Sequence, residues 1–206
     1  MQSDFQAVKI RIHAGRFFVS LFLSQEMDQI QLLDKTFVPY LTEAEIQTTV
    51  KSLAAQINFD YAGHEVVFLS ILNGSFMFTS DLMKHITLPC EISFIKVSSY
   101  VGTQTSGRVD ELIGLTDSLR DKHVLVVEDI VDTGITMDKI LTLLRKQQTA
   151  SLEVCSILFK KIAFQGKHAP KYYGYEIPDK FVVGYGLDYL QHGRNLPAIY
   201  QLKTEK

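Results

Sequence analysis

The stretch Val124-Leu125-Val126-Val127-Glu128-Asp129-Ile130-Val131-Asp132-Thr133-Gly134-Ile135-Thr136 constrains the fold more than any other part of the chain. Four apolar residues stand in a row without the alternation of a strand that has one wet face, so the strand they predict is covered on both sides. Two adjacent acids follow the run and a third stands in the turn beyond it. Met137, Ile140, Leu141 and Leu144 then recur at helical spacing over Thr136–Gln147. In a parallel α/β sheet, ligands bind outside the carboxyl ends of the strands, where Glu128, Asp129 and Asp132 would meet. Thr133, Gly134 and Thr136 bring hydroxyls and backbone N–H groups to the helix start, where unpaired donors and the helix dipole favour a phosphate. Acids beside an anion cradle suit a ligand with both hydroxyls and a phosphate, such as a ribose 5-phosphate. The same residues also fit a plainer arrangement, in which Asp132 or Thr133 caps the helix and Glu128 and Asp129 face solvent.

The rest of the chain agrees with an α/β fold. Thr42-Glu43-Ala44-Glu45 reads as a capping box, and Ile46, Val50, Leu53 and Ile57 continue it as an amphipathic helix over about 43–58. Val66–Leu72 predicts a buried strand that stops at Asn73-Gly74 and leads into a helix over Ser75–Ile86, with Phe78, Leu82 and Ile86 on one face. Further strands are expected at Glu91–Ser98, Val124–Asp129, Val154–Phe159, Phe181–Tyr185 and Ala198–Leu202. Alternating strands and helices, several strands being continuously apolar, indicate a mainly parallel sheet flanked by helices. The Tyr100–Arg120 connection is polar and glycine-containing at its start, which fits either a surface loop or a lid.

Composition excludes several function classes. The formal net charge of -2 removes the overall basic field on which non-specific nucleic-acid binding relies. No Gly-x-Gly-x-x-Gly turn follows the Val66–Leu72 strand, which argues against a dinucleotide-binding module. Cys90 and Cys155 lack metal-ligand spacing and are expected to be reduced core thiols of a cytoplasmic protein. Nothing in the sequence needs a membrane. The segment 1–26 places Lys9, Arg11 and Arg16 before a short apolar run with no small-x-small cleavage site, so it is expected to be an extension and not a secretory signal. Met27 is a plausible start, and 27–206 is expected to be a single domain.

The acidic strand–turn–helix segment resembles, over its whole length, the phosphoribosyl pyrophosphate motif of the type I phosphoribosyltransferases. Four further segments are similar to the hypoxanthine-guanine branch of that family: Leu72-Asn73-Gly74-Ser75, Ser99-Tyr100, Lys160, and the run from Glu176 to Tyr185 with Leu187-Asp188-Tyr189 and Arg194-Asn195-Leu196. The resemblance implies a twisted, mainly parallel sheet with a small base-binding hood built from the N-terminal part and about 160–206. It implies transfer of the phosphoribosyl group from phosphoribosyl pyrophosphate to hypoxanthine and guanine, in a cytoplasmic homodimer or homotetramer. By the same resemblance Leu72, Asn73 and Gly74 form the pyrophosphate loop, with an unusual backbone, a cis peptide, at Leu72-Asn73. Ser99 and Tyr100 tip the lid, Thr133 to Thr136 including Ile135 cradle the sugar phosphate, and Asp132 serves N7 of the purine as base or acceptor. Lys160, Phe181, Val182 and Asp188 bind the base, Arg194 assists at the pyrophosphate, and Glu128, Asp129 and Asp188 serve Mg2+. Asn73 departs from the family, which often has lysine there, so more of the pyrophosphate's binding must come from backbone N–H groups, magnesium and Arg194. An enzyme preferring xanthine and a regulatory nucleotide-binding homologue are the alternatives.

Every motif lies beyond Met27, so a chain lacking residues 1–26 is expected to keep its solubility and activity. Loss of the folded state on that truncation, followed by circular dichroism, would show the extension to be structural.

Overall fold

The computed structural model describes residues 28–98, 111–115 and 117–204. The 1–26 segment and the Ser99 and Tyr100 positions lie outside the described residues. In chain order the elements are β1 (Ile30–Leu32), β2 (Lys35–Leu41), α1 (Glu43–Asp60), β3 (Val66–Leu72), α2 (Phe76–Met83), β4 (Cys90–Ser98) and β5 (Glu111–Ile113), followed by β6 (His123–Val131), α3 (Ile135–Arg145), β7 (Ser151–Phe159), β8 (Tyr172–Glu176), β9 (Val182–Val183) and β10 (Ile199–Leu202).

The doubly apolar strands take the middle of the larger sheet, whose order is β5-β4-β3-β6-β7-β8. Strands β4, β3, β6, β7 and β8 run parallel, and β5 joins the edge antiparallel with Lys96 opposite Ile113. Successive side chains of a strand point to opposite faces, which is why residues 66–69 of β3 and 124–127 of β6 read as continuous apolar runs. Phe68, Leu125 and Val127 pack with Ile46, Val50 and Leu53 of α1 and Phe78 and Leu82 of α2. Val67, Leu69, Val124 and Val126 pack on the other face against Met137, Ile140, Leu141 and Leu144 of α3. A second sheet of order β1-β2-β10-β9, wholly antiparallel, closes over its own small core of Phe37, Val183, Ala198 and Tyr200.

Helix α1 begins where the capping box predicts. The Glu45 N–H donates to Thr42 Oγ1 over 3.2 Å, and the Thr42 N–H donates to Glu45 Oε2 over 2.8 Å. Helix α2 ends earlier than its apolar spacing suggests, because His85 and Ile86 donate to the carbonyls of Leu82 and Met83 in tighter three-residue turns. Strand β2 escapes the sequence reading because Pro39 interrupts it, and β10 shifts register opposite that proline. Strand β8, with Gly174 at its centre, escapes likewise, and β5 lies within the Tyr100–Arg120 connection. Of the expected Phe181–Tyr185 strand only Val182–Val183 forms one, with Gly184 in an isolated bridge to Leu187. Cys155 is buried as expected, but Cys90, opening an edge-proximal strand, is exposed. Among the described residues no helix is long and apolar enough to cross a membrane.

Thr42→Ala removes one half of the capping box and is expected to cost about 1 kcal/mol of stability. The measurement is the urea midpoint, which should fall with no change in the slope of the transition.

Candidate functional site

The turns that leave β3 and β6 and the ends of β7 and β9 converge at the carboxyl edge of the larger sheet. After β3 the chain bends sharply through a cis peptide bond between Leu72 and Asn73. A chain of hydroxyls lies under the bend: Ser70 Oγ is 2.7 Å from both Ser75 Oγ and Thr79 Oγ1, and Ser75 Oγ donates to the Ile71 carbonyl. All three hydroxyl residues are fully buried, so this network satisfies groups that would otherwise be stranded in the core. Gly74 is pressed from two sides. A side chain there would overlap the Asp129 carboxylate, and a Cβ on Gly186, which has a φ of +98°, would run into the Gly74 carbonyl. Only glycine accommodates both approaches.

Glu128 and Asp129 are adjacent on β6, and their carboxyl groups lie close enough to interact. Asp129 is 7% exposed, and its Oδ1 accepts the Ile130 N–H over 2.8 Å. Burial first, and the neighbouring Asp129 carboxylate second, push the Glu128 acid well above the usual carboxylate range. These acids do not face open solvent. Glu128 lines a cleft of about 260 Å³ together with Asp132, Thr133, Gly134 and Thr136. Ile135 does not line it and is exposed. Helix α3 has Gly134 as its N-cap at a φ of 76° with no capping side chain of its own, and the plainer capping arrangement survives only as a long bond of 3.5 Å from the Ile135 N–H to Thr133 Oγ1. The turn is held from outside instead, by the N–H groups of Gln165 and Gly166 donating to the Thr133 carbonyl over 2.9 and 3.0 Å. The first turn of α3, whose N–H groups have no partner within the helix, lies at the cleft with Thr133 and Thr136 in its lining.

Lys160 reaches this edge from the end of β7, where its backbone N–H donates to the Val131 carbonyl over 2.9 Å. Its ammonium donates to Asp132 Oδ2 over 2.7 Å and to Asp179 Oδ1 over 3.0 Å. The residue is 7% exposed, far from the solvated charge its place beside Lys161 suggests. Burial alone lowers its proton affinity, but the two carboxylate partners more than offset this and raise it above the ordinary lysine value. Two of three donors are used, which leaves one hydrogen for a further acceptor.

The remaining predicted residues lie on the 181–194 segment. Phe181 is not core: it is 46% exposed, with its ring edge-on to Tyr189 at a centroid distance of 5.9 Å. Val182 is buried and pairs with Gln201 of β10. Asp188 and Arg194 are not loose surface charges either. The Arg194 guanidinium sits 2.6 Å from Asp188 Oδ1 and donates to the Gly186 carbonyl over 2.8 Å. Tyr185 ties the same loop to α2 by donating to Asp81 Oδ2 over 2.8 Å. The structure therefore brings the Asp188–Arg194 pair to the Gly74 turn through Gly186, and Lys160 to Asp132 through one ion pair.

Sequence reasoning passed over three participants: Asp179, Tyr185 and Gly186. The first two lie inside the Glu176–Tyr185 run and the third just after it, and no spacing rule singles them out. Among the described residues no three His, Cys, Asp or Glu side chains gather into a metal cage. Two carboxylates at the end of β6 nevertheless fit a hard cation such as Mg2+, which binds through one or two carboxylates and takes its other ligands from phosphates and water. A larger hollow of about 470 Å³, between the outside of α3 and Lys167–His168, contains none of the predicted site residues.

A model of the phosphoribosyl transferase domain matches residues 40–190. The chain is 46% identical over 166 residues to a protein of Staphylococcus aureus named hypoxanthine-guanine phosphoribosyltransferase, covering 80% of this chain and 93% of that one. A protein of the same name from Staphylococcus epidermidis is 44% identical over the same shares. Among solved structures, a hypoxanthine phosphoribosyltransferase of Staphylococcus aureus superposes with a TM-score of 0.75 at 46% identity, covering 80% of this chain and 90% of that chain. A hypoxanthine-guanine phosphoribosyltransferase of Bacillus anthracis superposes with a TM-score of 0.72 at 36% identity, covering 80% and 96%.

Gly74→Ala forces the new methyl against Asp129 and is expected to destabilise the chain by about 1–3 kcal/mol. In the double variant Gly74→Ala/Asp129→Ala most of that loss should disappear. Strictly additive effects in this thermal-melting cycle would show that the contact is not the cause.

Proposed function

The chain belongs to the phosphoribosyltransferase family, and from that membership we propose that it transfers the 5-phosphoribosyl group from phosphoribosyl pyrophosphate to N9 of hypoxanthine and guanine, releasing pyrophosphate and giving IMP or GMP in purine salvage. The observation that carries the choice of base is the buried Lys160 ammonium, which keeps one donor unspent. An oxygen at position 6 of a purine accepts that hydrogen, whereas an amino group does not.

The remaining roles are those that the family resemblance implies for these residues. The base's N9 forms a bond to the anomeric carbon while the bond from that carbon to pyrophosphate breaks, its electron pair leaving with pyrophosphate. Such displacements pass through an oxocarbenium-like state, which nearby carboxylates stabilise, and Glu128 and Asp129 stand where the ribose hydroxyls would lie. Thr133, Gly134, Ile135 and Thr136 hold the 5-phosphate through their N–H groups and hydroxyls. The Leu72-Asn73-Gly74 turn, beside the remaining donors of Arg194, receives the pyrophosphate. Asp132 accepts the proton that the base loses at N7. The open face of Phe181 stacks on the purine and the Val182 backbone reads its edge, so that the small sheet serves as the hood. Mg2+ at Glu128, Asp129 and Asp188 would neutralise the pyrophosphate charge and order the sugar hydroxyls. Ile92 and Phe94, exposed on the same side of β4, support a homodimer or homotetramer, and two free thiols support a cytoplasmic location.

Release of pyrophosphate measured with hypoxanthine, guanine, xanthine, adenine and uracil tests the reaction and its base. Hypoxanthine and guanine should turn over and adenine should be rejected by about ten thousandfold, as expected of a site that hydrogen-bonds a substrate oxygen. Preference for xanthine or uracil would overturn the reading. Asp132→Asn keeps shape and loses charge, so single-turnover kcat with hypoxanthine should fall about a hundredfold or more while phosphoribosyl pyrophosphate binds much as before. Lys160→Ala should collapse hypoxanthine turnover and narrow the gap to adenine. An unchanged preference in that variant would move base recognition to the backbone near Val182.

A further inference from the structure

Lys160 has two carboxylate partners, and they stand in different positions. Asp132 lies on the turn that opens α3, in the cleft where the proposed reaction occurs. Asp179 lies on the opposite side, on the turn between β8 and β9. That turn is clamped to the end of β7 by the Ile177 N–H donating to the Phe159 carbonyl over 2.9 Å, and closed by the Lys180 N–H donating to the Pro178 carbonyl over 2.7 Å. The Asp179 side chain is 70% exposed, and among the described residues its one bond from another side chain comes from Lys160. The adjacent cation does not compete for it, since Lys161 pairs with Glu176 over 3.2 Å.

A buried ammonium with a single acid for company is bound to that acid, because leaving it strands a charge away from water. If Asp132 were the only partner, it could not take a proton from the base while neutralising the lysine, and its release would leave the ammonium without a counter-ion. A second carboxylate removes the conflict. We propose that Asp179 is the positioning residue for purine choice: as the standing counter-ion of Lys160 it keeps the ammonium aimed at the 6-oxo group while Asp132 is freed for the base's imidazole edge. Asp179 acts through Lys160 and need not touch substrate. The inference rests on the transfer reaction proposed above.

Steady-state kinetics of the full chain carrying Asp179→Asn test it, with Asp179→Ser measured alongside. A hydrogen bond to a charged group is lost, so KM for hypoxanthine should rise about tenfold or more. The preference for hypoxanthine over adenine should shrink, KM for phosphoribosyl pyrophosphate should hold, and Asp179→Glu should recover most of the preference. An unchanged KM for hypoxanthine and an unchanged preference in both variants would overturn the proposal. So would an equal rise of both KM values with a lowered melting temperature, or collapse of both variants, since either makes the residue structural. If the unsubstituted enzyme turned over no 6-oxopurine, the transfer reaction itself would fail, a result distinct from any failure of Asp179.

Discussion

The burial of β6 on both faces is the constraint from which the rest of the molecule follows. Its four leading apolar residues are fully buried, two against α1 and α2 and two against α3. A strand so placed has no solvated side along its middle on which to carry polar chemistry, and its acids stand beyond Val127, where its pairing with β3 ends. Parallel neighbours on both sides have their carboxyl ends at the same edge, and the turns from β3 and β6 therefore face each other across a few ångströms. The site is a consequence of the layer arrangement before any individual residue is considered.

Electrostatics then sets what that edge tolerates. Asp129 and Lys160 are both almost fully buried, and each is held by specific partners: a backbone N–H for the acid, two carboxylates for the amine. Partnered in this way a buried charge is stable, and without its partners it would be among the most destabilising features a core can hold. The same partners orient the groups, so the interactions that make burial possible also aim the site. Binding a planar base beside a charged sugar phosphate needs this preorganisation, because flexible charges would spend binding free energy on becoming ordered.

The smaller sheet shares the main core through Val182 and Ile199, and at the site it meets the larger one through glycine. Gly186 approaches the Gly74 carbonyl where no side chain fits, Tyr185 crosses to Asp81 on α2, and Arg194 grips both the Gly186 carbonyl and Asp188. Three contacts of different kind, steric, hydrogen-bonded and ionic, set the separation between the 181–194 segment and the turn after β3. A change in any one alters the space available between them.

The sequence by itself determined whatever rests on local periodicity and local chemistry. The unbroken apolar runs marked β3, β6 and β7, Thr42 and Glu45 marked the start of α1, and the acids and threonines from Glu128 to Thr136 marked a strand-to-helix turn with an anion cradle. Strands β1, β2, β5 and β8 were not legible, because each is short or broken by proline or glycine and is stabilised by its neighbours in the sheet more than by its own pattern. The exposure of Phe181 and Cys90 was hidden for the same reason, as burial depends on what packs opposite. Tertiary structure alone decided that Asp129 abuts Gly74, that Asp188 pairs with Arg194, and that Lys160 lies between Asp132 and Asp179. All but the Asp188–Arg194 pair join segments far apart in the chain, and an ion pair leaves no periodic trace in a sequence: a lysine beside a lysine and an aspartate in a turn read as solvated charges until folding removes the water around them.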